Sequence, residues 1–146
     1  MSAHKPLEGV KVVELASFVA APTAGRMMAE MGADVIRVES TAGDPWRFYG
    51  ANCGLPITDE ENPLFDIYNL GKKDIQLNTK TPEGKEILFH LLDEADVFIT
   101  NNRLKSLVRS GLDYESLKDR FPKLIYGLVT GYGQTGPDVD APGYDG

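Results

Sequence analysis

Val10-Lys11-Val12-Val13-Glu14-Leu15 opens a unit that Asp34-Val35-Ile36-Arg37-Val38-Glu39 closes. Both runs are short and rich in β-branched residues, which reads as strand. Between them lies Thr23-Ala24-Gly25-Arg26-Met27-Met28-Ala29-Glu30-Met31. Ala24, Met27, Met28 and Met31 recur at helical spacing, so a helix with one buried face is predicted. Pro22 suits a first helical turn, where its missing N–H costs nothing, and Gly32 suits the C-terminal cap. Strand, helix and strand within about 30 residues match a right-handed parallel crossover.

The rest of the chain repeats the alternation. Ile75-Gln76-Leu77-Asn78 reads as a strand, and Thr81 and Pro82 open a helix with an apolar stripe of Ile87, Leu88, Leu91, Leu92 and Ala95. Asp96 to Thr100 is a buried strand. Leu104 to Ser110 is a short helix ended by Gly111, and Tyr114 to Arg120 is another, stopped by Pro122. Leu124 to Val129 is a last strand. Alternating strands and helices predict an α/β fold: a parallel sheet flanked by helices on both faces. Residues 40–63 are polar and rich in Gly and Pro, either a functional loop or a surface excursion holding a short helix.

Composition narrows the function. The 146 residues carry 15 Lys and Arg against 22 Asp and Glu, a net charge of −7. That balance disfavours nonspecific nucleic-acid binding, which rests on surplus cations. No apolar run approaches the ~18 residues of a membrane span, and residues 1–6 lack a secretory core. The single cysteine, Cys53, excludes an intrachain disulfide. These features suit a cytoplasmic protein, and no metal site is expected. An anionic ligand would need a local basic cluster.

Two such clusters exist: Lys72 with Lys73, and Arg103, Lys105 and Arg109 in a stretch free of acids from Asn101 to Leu112. The second begins just past a strand, and ligands of open α/β sheets bind outside the carboxyl ends of strands. These cations are expected to rim one pocket; as bare sequence they are also consistent with solvated faces. Gly131, Gly133 and Gly136 spell G-x-G-x-x-G after a predicted strand, but Pro137 and Pro142 prevent the helix that a dinucleotide site requires. The glycines then imply either close approach of backbone to a ligand or partner, or a turn-rich connector. No catalytic pair emerges: His4 is terminal, His90 is mid-helix without a nucleophile, and Cys53 has no basic neighbour. Asp59-Glu60-Glu61 reads as a solvated acidic run, and Trp46, Phe48 and Tyr49 as core or interface anchors.

Taken together, Leu7-Glu8-Gly9-Val10-Lys11-Val12-Val13-Glu14-Leu15, Ala21-Pro22, Met31 to Glu39, Gly43-Asp44, Asn69-Leu70-Gly71-Lys72-Lys73, Thr81 to Lys85, Ala95-Asp96-Val97, Leu112-Asp113-Tyr114 and Thr130-Gly131-Tyr132-Gly133 resemble the class III coenzyme A transferases. That family includes formyl-CoA transferase and the carnitine and 2-hydroxyacid CoA transferases. The resemblance covers residues 7–146 and sits closer in wording to the 2-hydroxyacid enzymes than to the formyl-CoA enzymes. It implies a Rossmann-like, CoA-binding large domain, of which residues 1–146 would be the N-terminal part. It also implies an interlocked homodimer, with an acyl-CoA and a free carboxylic acid as substrates and no permanently bound cofactor.

The family's nucleophile is an aspartate that forms an anhydride and then an aspartyl-CoA thioester. It lies some two dozen residues past the Gly-Tyr-Asp region, so Asp145 is not that residue, and the chain alone is expected to lack turnover. By position, the resemblance implies CoA contacts from Val19 and Ala20 near the thioester end, and from Lys72 and Lys73 at phosphate and adenine. It adds Asn101, Asn102, Arg103 and Arg109 at the next turn and helix, and Gly131, Tyr132 and Gly133 beside pantetheine. Gln134 stands where relatives carry an active-site glutamate; an amide can donate but not act as a base. Val19 replaces the glutamine of formyl-CoA enzymes. The alternative reading is a non-catalytic nucleotide- or CoA-binding α/β module.

Overall fold

A computed structural model describes residues 4–58 and 60–143, so Asp59 and Asp145 lie outside the described residues. Its centre is a five-stranded, wholly parallel sheet in the order β3-β2-β1-β4-β5. The strands are β1 (Lys11–Leu15), β2 (Asp34–Glu39), β3 (Lys73–Gln76), β4 (Val97–Thr100) and β5 (Ile125–Leu128). Val12 sits between Val35 and Val97 in register, which places β1 at the centre. The chain walks from β1 to β3 in one direction, then jumps back past β1 to β4. Right-handed crossovers therefore put the helices before the jump on one face and those after it on the other.

On the first face lie α1 (Ala20–Glu30) and α3 (Pro63–Asn69). Val12, Val35 and Ile99 pack there against Ala21 and Ala33. On the second face lie α4 (Pro82–Asp93), α5 (Leu104–Ser110) and α6 (Tyr114–Leu117). Val13, Leu15, Val38 and Phe98 meet Leu88, Leu92, Leu107, Leu112 and Leu117 there. The alternation along β1, Val12 to one side and Val13 to the other, is the period-two pattern of a strand buried on both faces.

Several bounds differ from those expected. Helix α1 begins at Ala20 rather than Thr23, yet Pro22 stays in the first turn, where no helical N–H is needed. Strand β3 is Lys73–Gln76, displaced toward the N-terminus, because it pairs with Ile36–Glu39 of β2. Helix α6 stops at Leu117. Residues 40–63 contain α2 (Pro45–Tyr49) and a 3-10 turn at Gly50–Cys53. Helix α3 adds to the expected elements, and Asn62-Pro63 is its start signal: the Asn62 side chain accepts the Phe65 N–H at 3.3 Å.

The stripe on α4 is narrower than expected. Leu88 and Leu92 are fully buried, whereas Ile87 is 45% exposed. Leu92→Ala is expected to lower unfolding stability by about 2–5 kcal/mol in urea titration. Ile87→Ala should cost well under half of that; equal losses would contradict this packing.

Candidate functional site

The loops leaving β1, β2, β3 and β4 converge at the carboxyl end of the sheet. They enclose a cavity of about 370 Å³ lined by Ala16, Ser17, Glu39, Gly43, Leu77 and Thr79, with Asn102 on the far wall. The sheet order reverses between β1 and β4, and crevices at such switch points are where α/β sheets bind ligands. The loops on either side of that point are tied together. Asn101 accepts the Ser17 N–H at 3.0 Å and donates to the Ser17 carbonyl at 2.8 Å. Its side chain is thereby committed to the fold, while the neighbouring Asn102 lines the cavity.

Phe18 follows with φ +62°, the one non-glycine residue with positive φ among the described residues. For a bulky side chain that conformation costs about 1–3 kcal/mol and persists only where the surroundings enforce it. Here the Phe18 N–H donates to both carboxylate oxygens of Asp44, at 3.2 and 3.1 Å, and its ring sits edge-on to Trp46.

Beneath these loops, on the α1–α3 face, lies a chain of buried charges. Asp44 pairs with Arg37, and both side chains are completely buried. Arg37 also donates to Asn69 at 2.5 Å, and its guanidinium lies 4.8 Å from the centre of the Phe65 ring. Glu39 is gripped by Nε and Nη2 of Arg47, and the same Nη2 reaches Asp74 at 2.7 Å. Burial pushes Glu39 upward, but Arg47 and the Asp44 N–H outweigh it and hold the carboxyl below its usual range. Burial, then the Glu39 charge, raises Asp74 to about 6.

Lys72 belongs to this interior. Its side chain is 1% exposed, and its ammonium contacts both Glu14 oxygens at 3.0 and 2.8 Å, the Pro22 carbonyl at 2.9 Å and Asn69 at 3.0 Å. Burial pushes Glu14 up and pulls Lys72 down, each opposed by the other's charge. Gly25 makes room for the pair: a Cβ there would lie 1.9 Å from Glu14 Oε2.

The expected basic pocket is therefore divided. An ammonium has three donors, and all of those on Lys72 are engaged inside the protein, so none is left for a phosphate. Lys73 starts β3 at the amino end of the sheet, where it meets Asp34 at 2.8 Å. That is the end opposite the cavity. Arg103 remains where expected: it is exposed, precedes α5 and follows Asn102. Arg109 is exposed in the last turn of the same helix, about 9 Å further along its axis. Lys105 is held by Asp140.

Val19 and Ala20 form the entry into α1. Gly131, Tyr132, Gly133 and Gln134 form an exposed loop after β5, and no helix follows it among the described residues, so the dinucleotide reading has no helix terminus to work with. Gly131 is close to its own chain rather than to open space: a Cβ there would lie 2.7 Å from the Gly143 Cα. Lys80 is a further cation, absent from the two clusters that the sequence picks out. It is exposed directly after Thr79, which lines the cavity, and mirrors Arg103 beside Asn102. A lone cation just past a strand end is the available signal, hidden because the alternation of residues 75–78 extends the predicted strand to Asn78.

Residues 7–146 match the family described as CoA-transferase family III. The chain is 54% identical over 137 residues to a cinnamoyl-CoA:phenyllactate CoA-transferase of Clostridium sporogenes, covering 94% of this chain and 33% of that one. It is 48% identical over 139 residues to an (R)-2-hydroxy-4-methylpentanoate CoA-transferase of Clostridioides difficile, covering 95% and 35%. The crystal structure of a CAIB/BAIF family protein from Brucella suis superposes with a TM-score of 0.89 at 44% identity, covering 97% of this chain and 38% of that one. The chain thus spans about a third of the length of the curated relatives it matches.

Lys72→Met leaves Glu14 buried without a counter-charge and is expected to cost about 3–5 kcal/mol of stability. Lys73→Met should stay within about 0.5 kcal/mol by chemical denaturation, because Lys73 is a surface residue. If the two variants are equally stable, Lys72 is not the interior ion assigned here. Asp74 provides a pH test. Its pKa is near 6 when folded against 3.8 for the free side chain, so the folded state binds the proton more tightly. The stability contribution is full below about pH 4 and is lost as pH rises through about 6. Asp74→Asn should flatten the stability profile across that window, and an unaltered slope would refute the assignment.

Proposed function

The chain belongs to CoA-transferase family III, and on that footing we propose that residues 1–146 are the N-terminal part of the Rossmann-like, CoA-binding domain of a longer transferase. That protein moves coenzyme A from an acyl-CoA to a free carboxylic acid. The observation that carries the reading is the cavity of about 370 Å³ at the carboxyl end of the sheet, bounded by the loops of β1 to β4.

The acyl-CoA lies across this crevice. Arg103 supplies a planar fork of donors to its phosphates, and Lys80 a movable charge from the opposite wall. Arg109 continues the cationic strip along α5. Val19 and Ala20 face the thioester end, and Gly131, Tyr132 and Gly133 flank the pantetheine arm, with Gln134 as an active-site neighbour. Lys72 acts by holding the crevice floor and Lys73 takes no part. The carboxylates of Glu39 and Asp44, buried under the crevice and neutralised by Arg37 and Arg47, keep the floor from repelling an anionic ligand.

The transfer step belongs to an aspartate of the longer protein. Its carboxylate attacks the thioester carbonyl, and the C–S bond breaks to give an acyl-aspartyl anhydride and CoA thiolate. The thiolate then attacks the aspartyl carbonyl, forming aspartyl-CoA and releasing the donor acid. The acceptor carboxylate repeats the exchange in reverse, so acid and thiol are conserved and no cofactor is consumed. The identities of the relatives favour a 2-hydroxy acid as acceptor. The enzyme works as a cytoplasmic homodimer.

The longer protein is expected to convert cinnamoyl-CoA and phenyllactate to cinnamate and phenyllactyl-CoA, followed by liquid chromatography. In calorimetry with free CoA, Arg103→Ala should weaken binding by about tenfold or more, the worth of a charge-assisted hydrogen bond. Unchanged CoA affinity in that variant would sink the site assignment.

A further inference from the structure

The strained backbone of Phe18 follows the crevice-lining Ser17 and is bonded to the buried Asp44, and its φ of +62° needs a reason. Three consecutive main-chain groups here are fixed by side chains of other loops. The Ser17 N–H and carbonyl are bound by Asn101, and the Phe18 N–H by the carboxylate of Asp44. Asp44 is well suited to hold such a group. Its carboxylate is wholly buried, pairs with Arg37 and also takes the Trp46 N–H at 2.8 Å, which anchors it to α2. Arg37 in turn is braced by Asn69. The residues that follow Phe18 are Val19, the N-cap of α1, and Ala20, its first residue, so the turn at Phe18 sets the direction in which the chain passes from the crevice-lining Ser17 into α1.

Resting on the acyl-CoA reading above, we propose that Asp44 is a positioning residue for the transfer reaction: by clamping the left-handed backbone of Phe18, it aims Val19 and Ala20 at the thioester end of the bound acyl-CoA. The clamp acts on the reacting end and leaves phosphate binding at Arg103 alone. Misplacement of a reacting group by about 1 Å is enough to slow a reaction about 100-fold, so the effect belongs in kcat rather than in CoA affinity.

The experiment uses the longer protein with cinnamoyl-CoA and phenyllactate, and free CoA in calorimetry. Asp44→Ala removes the clamp but leaves Arg37 buried and unpaired. Arg37→Met/Asp44→Ala removes both charges together and serves if the single variant does not fold. In the folded variant kcat should fall by about tenfold or more, while the Kd for CoA stays within about threefold. Adding Phe18→Gly should restore most of the lost rate, because glycine adopts positive φ without a clamp. A role of Asp44 confined to stabilising Arg37 would not respond to that third substitution. The proposal is overturned if kcat stays within about twofold of the wild type, if Phe18→Gly restores nothing, or if neither variant folds. Failure of the parent reading is separate: wild-type protein that binds no CoA, or an Arg103→Ala variant of unchanged affinity, removes the acyl-CoA site itself.

Discussion

The burial of opposite charges on the α1–α3 face of the sheet governs the rest of this structure. Glu14, Arg37, Glu39, Asp44 and Lys72 all have side chains with almost no access to water. An isolated charge in that setting costs several kcal/mol, so each must find its partner from another element. Glu14 of β1 finds Lys72 ahead of β3, Arg37 of β2 finds Asp44 ahead of α2, and Glu39 finds Arg47 within α2. The partners cannot be satisfied unless β1, β2, β3, α2 and α3 are all in place. The network therefore fixes the position of residues 40–72, a stretch with little apolar periodicity of its own.

The face is divided along its length. Toward the amino end it is apolar, with Val12 and Val35 packed on Ala21 and Ala33. Toward the carboxyl end the same face turns polar, at Glu14, Arg37 and Glu39. The loops that form the crevice emerge directly above this polar half. Asp44 and Asn101 transmit its rigidity to Ser17 and Phe18, so a site made of loops is held with the precision of strands. Arg103 and Lys80 lie outside the network and are exposed, each next in sequence to a residue that lines the crevice.

Cations that are neighbours in the sequence therefore do not all rim one pocket. Lys72 and Lys73 are adjacent in sequence, but one ammonium points into the core and the other reaches Asp34 at the amino end of the sheet. Neighbouring side chains at a strand entrance diverge, and the partner that claims Lys72, Glu14, is fifty-eight residues away. Nothing local marks that pair. Gly25 is a trace of it, since only a residue without a side chain leaves room for Glu14 inside α1. In bare sequence, however, a glycine within a helix equally suits close packing of that helix on the sheet. The Gly131 loop behaves likewise: its close approach is to Gly143 of the same chain.

The chain's own residues determined the alternation of strands and helices, the parallel sheet and the starts of α4, α5 and α6. These depend on periodicity, caps and prolines that act within a few residues. The crossover rule ties each helix to a face once the strand order is known, and a parallel sheet puts a ligand crevice at its carboxyl end; the order β3-β2-β1-β4-β5 itself comes from the tertiary structure. Tertiary structure alone decided which charges are buried in pairs and which stay exposed, where β3 registers on β2, and why Phe18 is bent into a left-handed turn. Each of these depends on a partner distant in sequence and on the exclusion of water, and neither is encoded in any short stretch of the chain.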